Sequence, residues 1–177
     1  PSLMRTFQID PLGFVPAGVA IDDPIVAPNG ARFRRSAGIL PGLLDELFPR
    51  RERAKAERRP LEAQAIKILM NSFYGVLGTS ACRFFNPDVA NAITAFGREL
   101  LLWTKGRIEA LGHTVLYGDT DSLFVWLASG GVSVRDAAHA RELGESLRAR
   151  LNAALAVHVA ERWRVESKLD LEFDTLY

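Results

Sequence analysis

Cysteine and histidine are scarce in this chain of 177 residues. The single cysteine, Cys82, excludes an internal disulfide and fits a reducing compartment. The three histidines, His113, His139 and His158, are scattered along the sequence and show no zinc-ligand spacing. A disulfide framework and a zinc module are therefore excluded.

Long hydrophobic runs and a large net charge are also missing. No apolar stretch approaches the roughly 18–20 residues that a transmembrane helix needs, so we expect no membrane contact. The formal net charge is only +1, so any signal for nucleic-acid binding must be local. With 48% hydrophobic and 24% charged residues, the chain has the composition of a soluble protein with one real core or two small ones.

Helical periodicity is present in four segments. The predicted helices cover residues 39–59, 61–77, 86–112 and 133–163. Pro49 should kink or restart the first helix, whereas Pro60 suits the first turn of the second. Asn86 is expected to cap the third, and Ser133 with Asp136 resembles a capping box that opens the fourth. The tight connection at Pro60 predicts that the first two helices pack as an antiparallel pair.

Strand patterns occur in the second half of the chain. Residues 113–116 and 123–127 are short apolar runs on either side of a polar stretch, so they predict a β-hairpin. From Lys168 to Asp174, apolar and acidic residues alternate strictly. This alternation predicts a half-buried strand.

The tip of the predicted hairpin places Asp119 and Asp121 two residues apart. Carboxylates fixed on a rigid hairpin can hold Mg²⁺ and leave part of its coordination shell open for phosphate oxygens. Because a bare Asp-x-Asp is also an ordinary polar turn, the assignment depends on a second matching element. Asp170 and Glu172 are further candidates to lie beside this site, and an exposed strand face is the simpler explanation for both.

The second matching element is the helix predicted over residues 61–77. At 100° per residue, Lys67, Asn71 and Tyr74 fall within about 60° of one another. A separate apolar stripe is predicted to face the core and consists of Ile66, Leu69, Phe73 and Leu77. The polar face presents an ammonium that suits a triphosphate and a phenol ring that can contact a base pair. A solvent-facing polar stripe is the alternative for any amphipathic helix.

Three motifs carry a resemblance to a known family. The pattern Lys67-x-x-x-Asn71-Ser72-x-Tyr74-Gly75 is similar to the fingers motif of family B DNA polymerases, and Tyr117-Gly118-Asp119-Thr120-Asp121-Ser122 is similar to their palm metal motif. The opening residues, Pro1 to Phe7, resemble the tail of the family's first palm motif. The string from Asn71 to Thr79 most resembles the bacterial DNA polymerase II branch.

The resemblance implies nucleotidyl transfer with two Mg²⁺ ions, in which a primer 3′-hydroxyl attacks the α-phosphate of a dNTP and pyrophosphate leaves. Asp121 would be the main metal ligand of the hairpin, and Asp119 would be its partner. Lys67 would neutralise charge that develops on the triphosphate.

The resemblance also gives a role to the basic run over residues 50–59, which holds six bases and two acids. Arg51 and Lys55, four apart on the first fingers helix, would grip the triphosphate together with Lys67. Arg50 and Arg53 compete with Arg51, because Pro49 disturbs the helix register. A solvated helix end is the alternative explanation of the run.

The remaining fingers residues would contact the nucleotide less directly. Asn71 would be a polar neighbour of the triphosphate. Tyr74 and Gly75 would line the nascent base pair.

The implied fold is α+β, with an antiparallel palm sheet backed by helices and an inserted antiparallel two-helix fingers hairpin. Residues 1–38 and 78–177 would form the palm, and residues 39–77 would form the fingers. Primer–template DNA and dNTP would be the partners, and a sliding clamp is a candidate partner of the full-length protein. The resemblance implies a bacterial cytoplasmic, nucleoid-associated protein.

The chain begins with Pro1 rather than Met, and we expect it to be a fragment of a longer protein. The family's other metal-binding aspartate is expected just before Pro1, and the thumb beyond Tyr177, so we expect no polymerase activity from the isolated chain. The alternatives are a non-catalytic nucleic-acid-binding paralogue, a nucleotide cyclase palm and a structural domain with an accidental Asp-Thr-Asp. Lys67 and Asn71 argue against a cyclase, whose palm needs no such helix.

Overall fold

The computed structural model describes residues 1–36 and 38–177, which form a mixed α and β structure. The elements in these residues are α1 Ser2–Thr6, β1 Phe14–Val15, β2 Ile25–Val26, β3 Arg32–Phe33, α2 Ile39–Ala56, α3 Pro60–Leu77, α4 Pro87–Ala110, β4 Thr114–Asp119, β5 Ser122–Trp126 and α5 Ala137–Trp163. The described strands form two separate sheets, one of three strands in the order β1-β3-β2 and one of β4 and β5. No described helix has the length and apolarity that a bilayer span requires.

The chain divides into two compact units, Pro1–Phe96 and Gly97–Tyr177. The first unit has an aromatic core, in which the rings of Phe7 and Phe96 stack with their centroids 3.8 Å apart. Phe33 is fully buried on the central strand of the three-stranded sheet, where it pairs with a residue of each antiparallel neighbour.

The segment before the sheet anchors the start of α2. Helix α2 has no side-chain cap from its own N-cap residue, Gly38. The fully buried Asp10 supplies one instead, because its Oδ2 accepts a hydrogen bond from the Leu40 amide at 2.7 Å. One turn further on, Arg5 forms an ion pair with Asp45 at 2.7 Å.

The predicted helix pair is confirmed. Helix α2 runs through Pro49 as one element and ends at Ala56, three residues before the predicted end. Pro60 occupies the first turn of α3, where its missing amide hydrogen costs no helical hydrogen bond. The two helices pack against each other and are joined by only three residues, which is the connection expected of an antiparallel pair.

The two ends of α4 agree with the sequence prediction to within two residues. The Asn86 side chain accepts a hydrogen bond from the Asp88 amide at 3.0 Å, as an N-cap residue does. At the other end Gly112 adopts a φ of 89°, and its amide donates to the Glu109 carbonyl at 3.0 Å. Glycine is favoured at this position because a side chain would strain the left-handed conformation.

The predicted start of the last helix is wrong. Helix α5 begins at Ala137, four residues after Ser133. Asp136 is the N-cap residue, and its carboxylate accepts a hydrogen bond from the His139 amide at 2.8 Å. Because one short carboxylate already satisfies this amide, a capping box from Ser133 is not required.

The predicted strand from Lys168 to Asp174 is also wrong, although its alternation is correct. Its apolar residues are half-buried and its acidic residues are exposed, but the segment has no strand partner within the described residues. The side-chain amide of Asn152 on α5 takes the place of a partner. It donates to the Leu171 carbonyl at 3.0 Å and accepts from the Leu171 amide at 2.8 Å.

Candidate metal and nucleotide sites

The hairpin tip lies where the sequence predicted it. Asp119 and Ser122 pair across the antiparallel β4 and β5, so Thr120 and Asp121 form a two-residue turn. Thr120 has a φ of 50°. A β-branched residue rarely adopts this left-handed conformation, which costs about 1–3 kcal/mol. The backbone strain therefore falls between the two aspartates.

The two aspartates have only hydroxyl partners within the described residues. Asp119 accepts a hydrogen bond from the Thr120 hydroxyl at 3.1 Å, and Asp121 accepts one from Ser122 at 3.3 Å. Both residues are exposed, and neither forms an ion pair in the described part of the chain. Two neighbouring carboxylates without a cation repel each other. Their chemistry therefore fits a hard, oxygen-ligated divalent cation.

The acidic set at the tip is limited to these two side chains. Within residues 1–36 and 38–177, no group of three or more His, Cys, Asp or Glu side chains could hold a metal. Asp170 instead accepts a hydrogen bond from Asn152 at 2.7 Å and lies 3.7 Å from Arg148. Neither Asp170 nor Glu172 joins the hairpin aspartates.

The base of the hairpin is held by contacts that we call the hairpin clasp. The Ser129 hydroxyl accepts a hydrogen bond from the Thr114 amide at 2.7 Å and donates one to the Trp126 carbonyl at 2.6 Å. Gly130 lies so close to Gly112 that an added Cβ would come within 2.1 Å of the Gly112 carbonyl oxygen. The open end of the hairpin is thereby fixed, and the tip is the end that projects.

The inner face of the hairpin packs on a helical core. Val115, Leu123 and Val125 lie against a buried cluster formed by Ile108, Leu147 and Leu151. This packing holds the strands against α5 and the C-terminal part of α4.

The outer face of the hairpin is aromatic and was missed in the sequence analysis. Tyr117 and Phe124 pair across the strands with their ring centroids 5.9 Å apart, and they are 60% and 40% exposed. Trp126 is 53% exposed. The available signal was the alternation from residue 123 to residue 126. On β4, the register irregularity between Val115 and Tyr117 interrupts the corresponding alternation of inward-facing and outward-facing residues.

The predicted polar face of α3 is exposed. Lys67, Asn71, Tyr74 and Gly75 all lie on the surface of this helix. Within the described residues, the side chains of Lys67 and Asn71 have no hydrogen-bond or ion-pair partner. The face is therefore available to a ligand.

The predicted core face of α3 needs one correction. Leu69 is 47% exposed, whereas Met70 is only 3% exposed. The buried stripe consists of Ala63, Ile66, Met70 and Leu77. The centre of the buried stripe therefore lies roughly 45° around the helix axis from the centre of the predicted apolar stripe. Helix α2 packs against α3, so burial depends on tertiary packing as well as on side-chain hydrophobicity.

On α2, the two cations predicted to grip a triphosphate converge on one oxygen. Arg51 Nη1 and Lys55 Nζ lie 3.4 and 2.8 Å from the same Oε1 of Glu52. Arg50 and Arg53 are exposed and do not share this contact. The pair of Arg51 and Lys55 can thus hold a single anionic oxygen.

The sequence model of DNA polymerase family B matches residues 21–177. The chain belongs to this family. Among family B relatives, DNA polymerase II of Escherichia coli (strain K12) is 44% identical over 178 residues, which are 99% of this chain and 22% of that protein. A DNA polymerase of Archaeoglobus fulgidus is 35% identical over 139 residues, which are 71% of this chain and 17% of that protein.

A solved family B structure supports the same conclusion. The family B DNA polymerase from the hyperthermophilic archaeon Pyrobaculum calidifontis matches with a TM-score of 0.63 at 28% identity. The match covers 96% of this chain and 22% of that polymerase chain. The chain therefore spans about a fifth of the length of these relatives.

Family membership confirms the resemblance that the three motifs carry. It leaves no support for a nucleotide cyclase palm or for an unrelated structural domain with an accidental Asp-Thr-Asp. A non-catalytic polymerase paralogue is a family member too, so family membership does not address that alternative.

Proposed function

We propose that the chain is the fingers and palm segment of a DNA-directed DNA polymerase, which transfers nucleotides from dNTPs to a primer 3′-hydroxyl on a template. The observation that carries this proposal is the family match together with two exposed, unpaired carboxylates at a strained hairpin tip. Residues 39–77 would be the fingers. Residues 1–38 and 78–177 would be the palm.

In this proposal Asp119 and Asp121 hold Mg²⁺. Bound Mg²⁺ would favour the attacking alkoxide and neutralise charge on the triphosphate. The protein's own contribution is position: the hairpin clasp fixes the base, and the turn at Thr120 places one exposed aspartate on each side of that residue. Asp121 lies in the turn itself and is proposed as the main ligand.

The fingers helices would hold the dNTP. Arg51 and Lys55 would grip the triphosphate, since their present contact shows that they can share one anionic oxygen. Lys67 would add a third positive charge from α3.

Two further contacts are proposed from the polar face of α3. Asn71 would be the neighbouring polar contact of the triphosphate. Tyr74 and Gly75 would line the nascent base pair, where a flat ring and a missing side chain both allow close approach.

Partners and location follow at the level of the whole protein. We propose primer–template DNA as the substrate, with a sliding clamp as a further candidate partner. A bacterial cytoplasmic, nucleoid-associated location is proposed from the similarity to DNA polymerase II.

A chimera tests the catalytic assignment. The chain would replace the matching segment of Escherichia coli DNA polymerase II, to which it is 44% identical. We expect primer extension from the chimera and none from its Asp121→Asn or Asp119→Asn variants. Asp22→Asn, at an exposed aspartate outside the hairpin, serves as the control and should retain activity.

The outcomes distinguish a segment of an active polymerase from a segment of a non-catalytic paralogue. Full extension by the Asp121→Asn chimera would remove the metal role of that residue. A folded chimera that never extends a primer would favour the non-catalytic paralogue. The 177-residue chain alone is expected to give no extension, since its described residues gather only two carboxylates at the tip.

Nucleotide binding by the chain itself tests the fingers assignment. Titration calorimetry with dTTP should show affinity that Lys67→Ala lowers by about tenfold, because a charge-assisted contact is lost. Lys105→Ala removes an exposed lysine of α4 that faces Glu109, and it should leave dTTP binding unchanged. Equal binding by the Lys67→Ala variant and the wild type would contradict the assignment.

A further inference from the structure

Glu52 lies between the two proposed triphosphate contacts on α2 and binds both. A single carboxylate oxygen, Oε1, lies 2.8 Å from Lys55 Nζ and 3.4 Å from Arg51 Nη1. A phosphate oxygen would meet the same two donors in the same way, as an anionic oxygen at hydrogen-bond distance. Glu52, a residue of the same helix as the two cations, thus occupies the position that a ligand oxygen would need.

The contact is one that a ligand can replace. The Glu52 side chain is 57% exposed, and exposed ion pairs contribute little to stability. A triphosphate also has several oxygens to offer where Glu52 uses only one for both cations.

We infer that Glu52 is an internal competitor of the nucleotide, whose carboxylate must leave Arg51 and Lys55 before a triphosphate can bind them. This inference rests on the proposed function of the two cations. Glu52 is a residue that sets nucleotide affinity without being part of the grip. It lowers the affinity for the triphosphate and for any other polyphosphate that uses the same donors.

The test measures binding of dTTP and of inorganic tripolyphosphate to the 177-residue chain at low salt. Glu52→Gln keeps the shape of the side chain and removes its charge. We expect about three- to tenfold tighter binding of both probes, which corresponds to losing one or two exposed ion-pair contacts. Glu52→Ala should tighten binding at least as much.

Glu57→Gln is the matched control. Glu57 lies in the same basic stretch and pairs with Arg59 at 2.6 Å, so its removal changes the net charge equally. We expect less than about a twofold change from this variant. Glu52→Gln should also lose most of its effect in a Lys55→Ala background, since Glu52 and the triphosphate then compete only for Arg51.

The possible results separate this inference from the proposed function. Tighter binding in Glu52→Gln but not in Glu57→Gln supports it. Equal effects of the two variants, or a change in thermal stability without a change in affinity, overturn it. If dTTP binds the wild type, Lys67→Ala weakens that binding and Glu52→Gln leaves it unchanged, the inference alone is wrong. If no form binds either probe, both the inference and the fingers assignment are wrong.

Discussion

The helix pair and the hairpin differ in whether their charged side chains have partners of opposite charge. Near the connection of α2 and α3, some cations are paired with acids a few residues away, as Arg51 and Lys55 are with Glu52, and Arg59 with Glu57. At the hairpin tip, two aspartates stand together without a cation in the described residues. Part of the positive charge of the first region is thus neutralised by the protein's own acids, whereas the negative charge of the tip has no neutralising cation in the described residues.

This difference shows which forces hold each region. The helix pair depends on buried side chains, because exposed ion pairs of this kind contribute at most about 1 kcal/mol. The hairpin is held at its base by the clasp and on its inner face by Ile108, Leu147 and Leu151. Its tip carries strain and repulsion that a bound cation would offset. Substitutions in each region can measure how much these forces contribute.

The largest effect should come from the core of the helix pair. Met70→Ala removes a side chain that is 3% exposed, so we expect the free energy of unfolding to fall by about 2–5 kcal/mol. Leu69→Ala, one position away and 47% exposed, should change it by less than about 1 kcal/mol. Urea denaturation of the two variants measures the difference. A larger loss in Leu69→Ala than in Met70→Ala would support the buried face that the sequence predicted.

The next effect concerns the unpaired hairpin carboxylates. Asp121→Asn should weaken Mn²⁺ binding by at least about 10–100-fold, since losing a ligand costs no less than disturbing its surroundings. Electron paramagnetic resonance of free Mn²⁺ measures the affinity. Asp174→Asn, an exposed aspartate in the same unit, should bind Mn²⁺ like the wild type. Matching losses in both variants would indicate nonspecific attraction.

A smaller effect should follow from relieving the strain at the tip. Thr120→Asn places a residue that tolerates a φ of 50° where a β-branched one stands. We expect thermal unfolding of the second unit to indicate a gain of about 1 kcal/mol. The same change at Thr114, a β4 residue without a positive φ, should give no gain. A loss of stability in Thr120→Asn would show that the turn is not strained.

The smallest effect should be a dependence of stability on pH from His158. Burial of this ring, with a further contribution from Arg162, lowers its pKa below the usual value, while Glu99 and Glu161 oppose the shift. The unfolded chain therefore binds more protons than the folded one as the pH falls below about 6.5, so stability should decrease on acidification. His158→Phe keeps the stack on Trp103, whose ring centroid lies 4.6 Å away, and should reduce the slope.

Melting temperatures between about pH 5 and 7 measure this slope around the usual pKa of histidine. His139→Gln lies outside the stack and should retain the wild-type slope. Because all three histidines belong to the second unit, the helix pair should contribute little in this window. An unchanged slope in His158→Phe would assign the dependence to other groups.

Local patterns in the sequence predicted the elements that local chemistry determines. The hairpin turn, the helix pair and the Asn86 cap all depend on residues near each other in the chain. The exposed positions of Lys67, Asn71 and Tyr74 followed from helical spacing alone. The errors arose where a distant residue decides. Asn152 takes the place of a strand partner for Leu171, and Met70 rather than Leu69 is buried in a helix that packs against α2.

The role of Glu52 could not be read from the sequence for the same reason. Its spacing to Lys55 suggests an ordinary helical ion pair. Only the folded structure places Arg51 Nη1 near the same oxygen.

The hairpin clasp limits where residues can be inserted into the chain without moving the tip. Ser129 and Gly130 tie the end of β5 to the turn at Gly112, so an inserted residue between 127 and 131 would displace the strands and carry the tip with them. Residues 133–135 lie outside this tie and before the first turn of α5. A linker or an affinity tag inserted into the second unit therefore belongs in that short stretch, where added length leaves the aspartates in place.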